Sequence, residues 1–383
     1  MDTFYVTQTE RSPLAVLFRG NLRKQDSEAV FAKVQERLQA QPGGLGERVQ
    51  LLLMPDFTPP SMDDMDAGED AQARPIFLAI STQAQPKQPT AFTYVFSLAT
   101  LVASAFTAFA YALGTFALNT EFFAKVNDGD LSVASQALPV AAGILGLQLV
   151  HELAHRLAAL ASGKKNLLGP PVFIPSLQVG TFGTITPFTT FPRDRKQAFD
   201  VSVAGPALGA VVSLGALIGG LLLTGGATTD ALAAFPVVPA ALFHSSAIIG
   251  TITSIALPQA MLQALSTPVP LHPLAVIGFT GVIVNALNLM PVGRLDGGRL
   301  AAAGFGRRTA AVLGTLTLLL QAASAIFNNY SLQLFWGLVV IIFQRGQDLP
   351  ALDEVSEVDE GRNTVLLVLL AFALFTLVPF PSL

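Results

Sequence analysis

Leu149-Val150-His151-Glu152-Leu153-Ala154-His155 lies inside an apolar run from about Val140 to Ala161, and the rest of the chain is organised around it. On an α-helix, His151 and His155 are four apart and share one face, with Glu152 beside them. Two neutral imidazoles can hold Zn²⁺, and a carboxylate next to the metal can take a proton from its bound water, whose pKa the metal lowers to about 7. HExxH is short enough to occur by chance, so its surroundings carry the weight. The run is long and apolar enough to span a bilayer, where ionisable side chains are costly and mark functional sites. The bland alternative is a polar helix end satisfied by water.

Composition points the same way. The chain has 383 residues, 51% hydrophobic and 13% charged, with mean hydropathy +0.55, whereas soluble domains are about 25% charged. A net charge of −4 leaves no basic footprint, so nucleic acid is excluded as a partner. There is no cysteine, which excludes disulfides, thiolate zinc sites and cysteine nucleophiles. Met1 to Arg11 carries neither an apolar signal core nor an Arg/Ser-rich presequence, so any targeting segment is expected outside this sequence.

The pattern predicts a polytopic α-helical membrane protein with a re-entrant β-hairpin and a small soluble α+β domain at the N-terminus. Residues 1–88 form that domain. Leu14 to Phe18, Val49 to Met54 and Pro75 to Ile80 read as strands. A helix capped at Asp26 or Ser27 carries the stripe Val30, Phe31, Val34 and Leu38, and an acidic linker runs from Asp63 to Asp70. Residues 89–130 hold a first span, Ala91 to Leu118, and a polar loop. Residues 131–345 form the core. The HExxH helix ends at Gly163-Lys164-Lys165, which places His155 on the order of 13 Å from that interface. Residues 166–197 are too broken by Gly and Pro to span, yet too apolar for an ordinary loop. Gly180-Thr181-Phe182-Gly183-Thr184-Ile185-Thr186 alternates like a strand, so we read a re-entrant hairpin beside the site; a loop folded on the membrane surface is the alternative. Phe199 to Leu223 and Leu274 to Leu289 are further spans. Ala310 to Phe327 and Leu332 to Phe343 follow. Residues 346–383 comprise an acidic, solvated loop and a last span, Val365 to Phe380.

A catalytic zinc commonly takes three protein ligands. Asp296, His244, His272 and Asp200 are the candidates for the third. Asp296 is favoured because it sits in a glycine-rich break at the end of a span, where Gly297 and Gly298 let the backbone turn without a Cβ clash. A turn or helix-cap aspartate is the alternative.

The two stretches 151–155 (HELAH) and 288–298 (NLMPVGRLDGG), in that order in a polytopic chain, resemble the paired signatures of site-2 proteases, the intramembrane zinc metallopeptidases. Phe18-Arg19-Gly20-Asn21-Leu22-Arg23, Phe173-Ile174-Pro175-Ser176 and Gly180 to Thr186 are similar to the EGY-type branch of plant plastids and cyanobacteria. The resemblance implies one Zn²⁺ per chain held by His151, His155 and Asp296, Glu152 as catalytic acid/base, and Asn288 as a polar group near the reacting carbonyl. It also implies a plastid membrane, thylakoid or inner envelope, with a cyanobacterial membrane as the alternative. A nucleus-encoded plastid member should carry a transit peptide, and none is visible here.

The expected reaction is hydrolysis of a peptide bond within or next to a transmembrane helix of a membrane-anchored substrate, in the lipid bilayer. The substrate must be unwound first, and Thr181, Phe182, Gly183 and Thr184 would receive it by strand addition. A soluble partner is expected for the N-terminal domain. Two other readings are a non-catalytic scaffold that keeps the motif for structure and an ion transporter; the chain shows no internal repeat to favour the latter. Charge gives a topology. Lys164, Lys165, Arg193, Arg195 and Lys196 follow the HExxH helix, whereas 225–240 has no Lys or Arg. For Asp296 to reach the histidines, Ala241 to Leu265 must enter and leave by the same face.

Overall fold

Apolar helices dominate the computed structural model, which describes residues 3–13, 15–24, 26–42, 44–56, 75–328 and 331–380. The expected acidic linker Asp63 to Asp70 lies outside the described residues. Among the described residues, four helical stretches are long and apolar enough to cross a membrane: 91–114, 131–161, 195–225 and 360–377.

The amino-terminal unit is a four-stranded antiparallel sheet of β1 (Phe4–Arg11), β2 (Ala15–Leu22), β3 (Val49–Pro55) and β4 (Pro75–Ser81), ordered β1-β2-β4-β3. One face is covered by α1 (Ser27–Gln39), and α2 (Leu45–Arg48) leads into β3. The α1 start is set by Asp26, whose carboxylate accepts from Ala29 N at 3.0 Å. Its Val30 and Phe31 then bury against Leu51, Leu52, Leu53 and Phe77. Strand β1 was not expected from the sequence. Its residues are almost all exposed, so they lack the alternation that reveals a half-buried strand. Gly20 lies inside β2, where a Cβ would sit 1.9 Å from Tyr5 O.

The membrane part begins with α3 (Ala91–Gly114), followed by the short α4 (Thr120–Asn127) and a 3-10 turn that runs into α5 (Leu138–Ala161). Leu149, Leu153, Leu157 and Leu160 form an exposed stripe along α5, while Gln148, His151, Glu152 and His155 are buried. That division separates a lipid-facing side from a polar interior.

Two strands, β5 (Val172–Ser176) and β6 (Gly180–Ile185), pair antiparallel into a hairpin. Thr107 of α3 donates to Gly180 O at 2.6 Å and Ser97 to Pro171 O at 2.6 Å. The hairpin therefore lies along α3.

The long α6 (Arg195–Gly225) packs backbone to backbone on α11 (Pro273–Asn288). A Cβ on Gly220 would meet Ala275 N at 2.1 Å, and one on Gly278 would meet Leu217 N at 2.1 Å. Between these helices run α7 (Thr229–Ala233), α8 (Ala241–His244), α9 (Ala247–Ala256) and α10 (Pro258–Met261). Strands β7 (Val237–Pro239) and β8 (Pro268–Pro270) pair across this excursion, so its two ends lie side by side. The chain closes with α12 (Asp296–Phe305), α13 (Arg307–Asn328), α14 (Ser331–Phe343) and α15 (Glu360–Leu377).

The segment expected to be a solvated acidic loop is not one. Ala351 to Glu354 and Val358 are buried. Leu53 N donates to Leu352 O at 2.7 Å and Glu354 N to Leu53 O at 2.9 Å on one side; on the other, Leu352 N donates to Pro192 O at 2.8 Å. The strap thus joins the edge strand β3 to the stretch before α6. Its acids find partners, since Glu354 meets Arg307 at 3.0 Å and Asp348 meets Arg299 at 2.7 Å.

Candidate metal centre

Helix α5 sets the first two groups of the site one turn apart. His151 Nε2 and His155 Nε2 lie 3.0 Å from each other. Asp296 reaches them from the first turn of α12, with Oδ2 3.1 Å from His151 Nε2 and 3.4 Å from His155 Nε2. A carboxylate there also sits at the positive end of the helix dipole. The glycine pair lets α12 start so close to α11, since a Cβ on Gly297 would sit 1.9 Å from Leu289 O and one on Gly298 2.4 Å from Gly293 O.

The outer ring nitrogens decide what the inner ones can do. His155 Nδ1 faces Val201 O at 2.7 Å. A carbonyl only accepts, so Nδ1 carries the proton and Nε2 of the neutral ring keeps a lone pair. Asn285 donates through its nitrogen to Gly281 O at 2.8 Å, which turns its oxygen toward His151 Nδ1 at 3.3 Å. His151 is fixed in the same tautomer. Three acceptors, two imidazole nitrogens and a carboxylate oxygen, then converge within 4.8 Å of one another, all on buried side chains. A divalent cation satisfies all three, and two nitrogens with one oxygen suit zinc.

Glu152 is buried beside this group and held by both oxygens. Arg156 Nε donates to Oε1 at 2.7 Å, and the Thr186 hydroxyl donates to Oε2 at 2.5 Å. Asn288 points at the hairpin, donating to Phe182 O at 3.2 Å and to Val284 O at 3.0 Å. Gly183 has φ +103, and a Cβ there would meet Asn288 Nδ2 at 2.4 Å. Thr181 donates internally to Ile174 O at 3.0 Å, whereas the buried Thr184 hydroxyl has no partner among the described residues. The hairpin residues read from the sequence therefore lie against α11 next to the centre.

The other candidates for the third ligand are elsewhere. His272 caps α11 by accepting from Leu274 N at 3.1 Å. Asp200 pairs with Arg362 at 2.7 Å. The His244 ring packs edge-on against Phe380. Sequence reasoning missed the parts that Asn285, Arg156, Thr186, Gly205 and Arg299 play in the site, Thr186 having been read only as the end of the strand-like stretch 180–186. A Cβ at Gly205 would sit 2.2 Å from His155 Nε2. Arg299 is buried, donates to Thr186 O at 2.8 Å and stands 4.0 Å from Asp296 Oδ1. Asn285 was findable, being one turn before Asn288 in an otherwise apolar helix.

Residues 139–320 match Peptidase family M50, and residues 1–85 match the EGY3 middle domain. The chain is 33% identical, over 99% of its length, to a protein of Arabidopsis thaliana named probable zinc metalloprotease EGY1, chloroplastic, and covers 69% of it. It is 33% identical to the protein of the same name from Oryza sativa subsp. japonica, over 98% of the chain and 65% of that relative. It is 30% identical to the probable zinc metallopeptidase EGY3, chloroplastic, of Arabidopsis thaliana, over 99% of the chain and 63% of that protein. The chain thus spans about two thirds of the length of these relatives. No solved structure matches it.

Proposed function

The chain belongs to peptidase family M50, and from that premise we propose that it is a zinc-dependent intramembrane endopeptidase that cuts peptide bonds within or next to transmembrane helices of membrane-anchored proteins. The observation that carries this is the convergence of His151, His155 and Asp296 inside a bundle of apolar helices, with a carboxylate, Glu152, alongside.

His151, His155 and Asp296 would hold the metal. Zinc, when bound, supplies a Lewis acid and lowers the pKa of the attacking water. Glu152 accepts the proton from that water and delivers it to the leaving amine. Asn288, with its amide beside β6, is a polar group near the reacting carbonyl. The substrate helix hides its carbonyls in its own hydrogen bonds and must unwind, so we assign β5 and β6 as a re-entrant hairpin that receives the unwound segment by strand addition at Thr181, Phe182, Gly183 and Thr184. Among the described strands β6 pairs with β5 alone, which supports that reading, and so does the unpartnered Thr184 hydroxyl.

The proposed layout has a soluble amino-terminal domain at 1–88 with a soluble partner, a first span and loop at 89–130, a catalytic core at 131–345, and the strap with the last span at 346–383. The apolar helices and the chloroplastic relatives support a membrane-embedded plastid protein, in the thylakoid or inner envelope, with a cyanobacterial membrane as the alternative.

The test is cleavage of a single-span substrate in detergent by the purified protein. Wild type cuts, and Glu152→Gln loses at least about 100-fold in rate while retaining its zinc. Cleavage that survives Glu152→Gln would leave a scaffold as the better reading. Thr184→Pro, which removes a backbone donor from the receiving strand, impairs cleavage with zinc still bound.

A further inference from the structure

The two contacts that hold Glu152 come from outside the zinc signature, and both are anchored at the open end of the hairpin. Thr186 directly follows β6, whose last ladder pair is Val172 with Ile185. Its hydroxyl donates to Glu152 Oε2 at 2.5 Å, while its carbonyl accepts from Arg299 at 2.8 Å. Arg156 donates to Glu152 Oε1 and, through Nη2, to Gly169 O at 2.5 Å. Gly169 in turn donates its N–H to Pro187 O at 2.9 Å. The two arms of the hairpin thus close on each other beside the donors that grip the carboxylate.

We propose that Thr186 and Arg156 are positioning residues that clamp the carboxylate of Glu152, and that Thr186 makes the orientation of Glu152 depend on the position of strand β6. The inference rests on the reading of Glu152 as acid/base. Each carboxylate oxygen accepts through more than one lone pair, so one donor per oxygen fixes the group without exhausting it. A displacement of β6 on receiving a peptide strand moves the residue after it, and with it one of the two donors. Small misplacements of a reacting group are expensive in rate, about 100-fold for 1 Å. A substrate seated on the hairpin would therefore set the base as it binds. HExxH alone carries no such link, since His151, Glu152 and His155 all ride on α5.

Two measurements test this. In cleavage assays Thr186→Val, which keeps the shape and removes the donor, lowers kcat about 10-fold or more with KM within about twofold, and Thr186→Ser restores kcat. An unchanged kcat in the valine variant, or failure of serine to restore it, overturns the proposal. The second readout needs no catalysis. Thermal unfolding of metal-stripped protein in detergent is compared for wild type, Thr186→Val, Glu152→Ala and the double variant. Thr186→Val lowers the melting temperature by about 2 °C or more where Glu152 is present, and by less than half as much in the Glu152→Ala background. Additive shifts overturn the clamp. A wild type that cleaves nothing would count against the proposed activity, while the unfolding cycle would still decide the coupling.

Discussion

At the level of single residues, the centre is defined by where protons are absent. With Val201 O and Asn285 Oδ1 holding the outer nitrogens, both Nε2 atoms present lone pairs toward Asp296. Detergent-purified wild type is therefore expected to carry about one zinc per chain by elemental analysis, and His151→Ala and Asp296→Ala to carry none. Retention of zinc by Asp296→Ala would move the third ligand elsewhere. Asn285 touches no other ligand yet sets one ring, so Asn285→Leu should weaken zinc about 10–100-fold in chelator competition, with the fold intact. His151, Glu152 and His155 were legible because charge in an apolar run is rare, and Asp296 because of its glycines. The contacts of Thr186 and Arg156 with Glu152 were not legible. A threonine after a strand and an arginine near a helix end look like ordinary boundary residues until the hairpin is folded back against α5.

At the level of elements, the pairing of the hairpin was readable from its glycine punctuation. Strand β1 was hidden by its exposure, and the strap by its acidity, because a run of carboxylates reads as solvated until Arg299 and Arg307 are seen beneath it. The shape of the hairpin also depends on a glycine. Gly183 has φ +103, and a Cβ there would meet the Asn288 amide. Gly183→Ala would carry about 1–3 kcal/mol of backbone strain and push Asn288 away from Phe182 O. Its expected signature is a cleavage rate lowered by an order of magnitude or more with zinc stoichiometry unchanged, since no ligand lies on β6. Loss of zinc in this variant would mean that the hairpin also supports the ligands, and the separation of the two elements would fail.

At the level of the molecule, the amino-terminal sheet and the helical core are joined by a strand-like strap that neither part would hold alone. Leu352 to Glu354 lies between β3 and residues 192–194, and the ends of the strap reach both parts. Asp348 pairs with Arg299 next to the candidate centre, while Ser356 and Ser27 of α1 share a hydrogen bond at 2.9 Å. Asp353 is the knot. It is 2% exposed and accepts from Val355 N at 2.9 Å, Ser356 N at 3.0 Å and the Ser356 hydroxyl. Asp353→Ala takes the shared acceptor from two half-buried backbone N–H groups and leaves the Ser356 hydroxyl with Ser27 alone, which costs about 1 kcal/mol. The cost falls on the junction between the two parts, because Asp353 is bridged to Leu53 of β3 on one side and to Asp194 on the other. Limited proteolysis of the variant in detergent should therefore cut faster in the polar stretch 82–90, releasing the sheet, while the membrane part keeps its zinc by elemental analysis. Unchanged cutting there would show that the first span and the sheet are held together without the strap, and zinc lost along with the sheet would show that the strap supports the centre through Asp348 and Arg299.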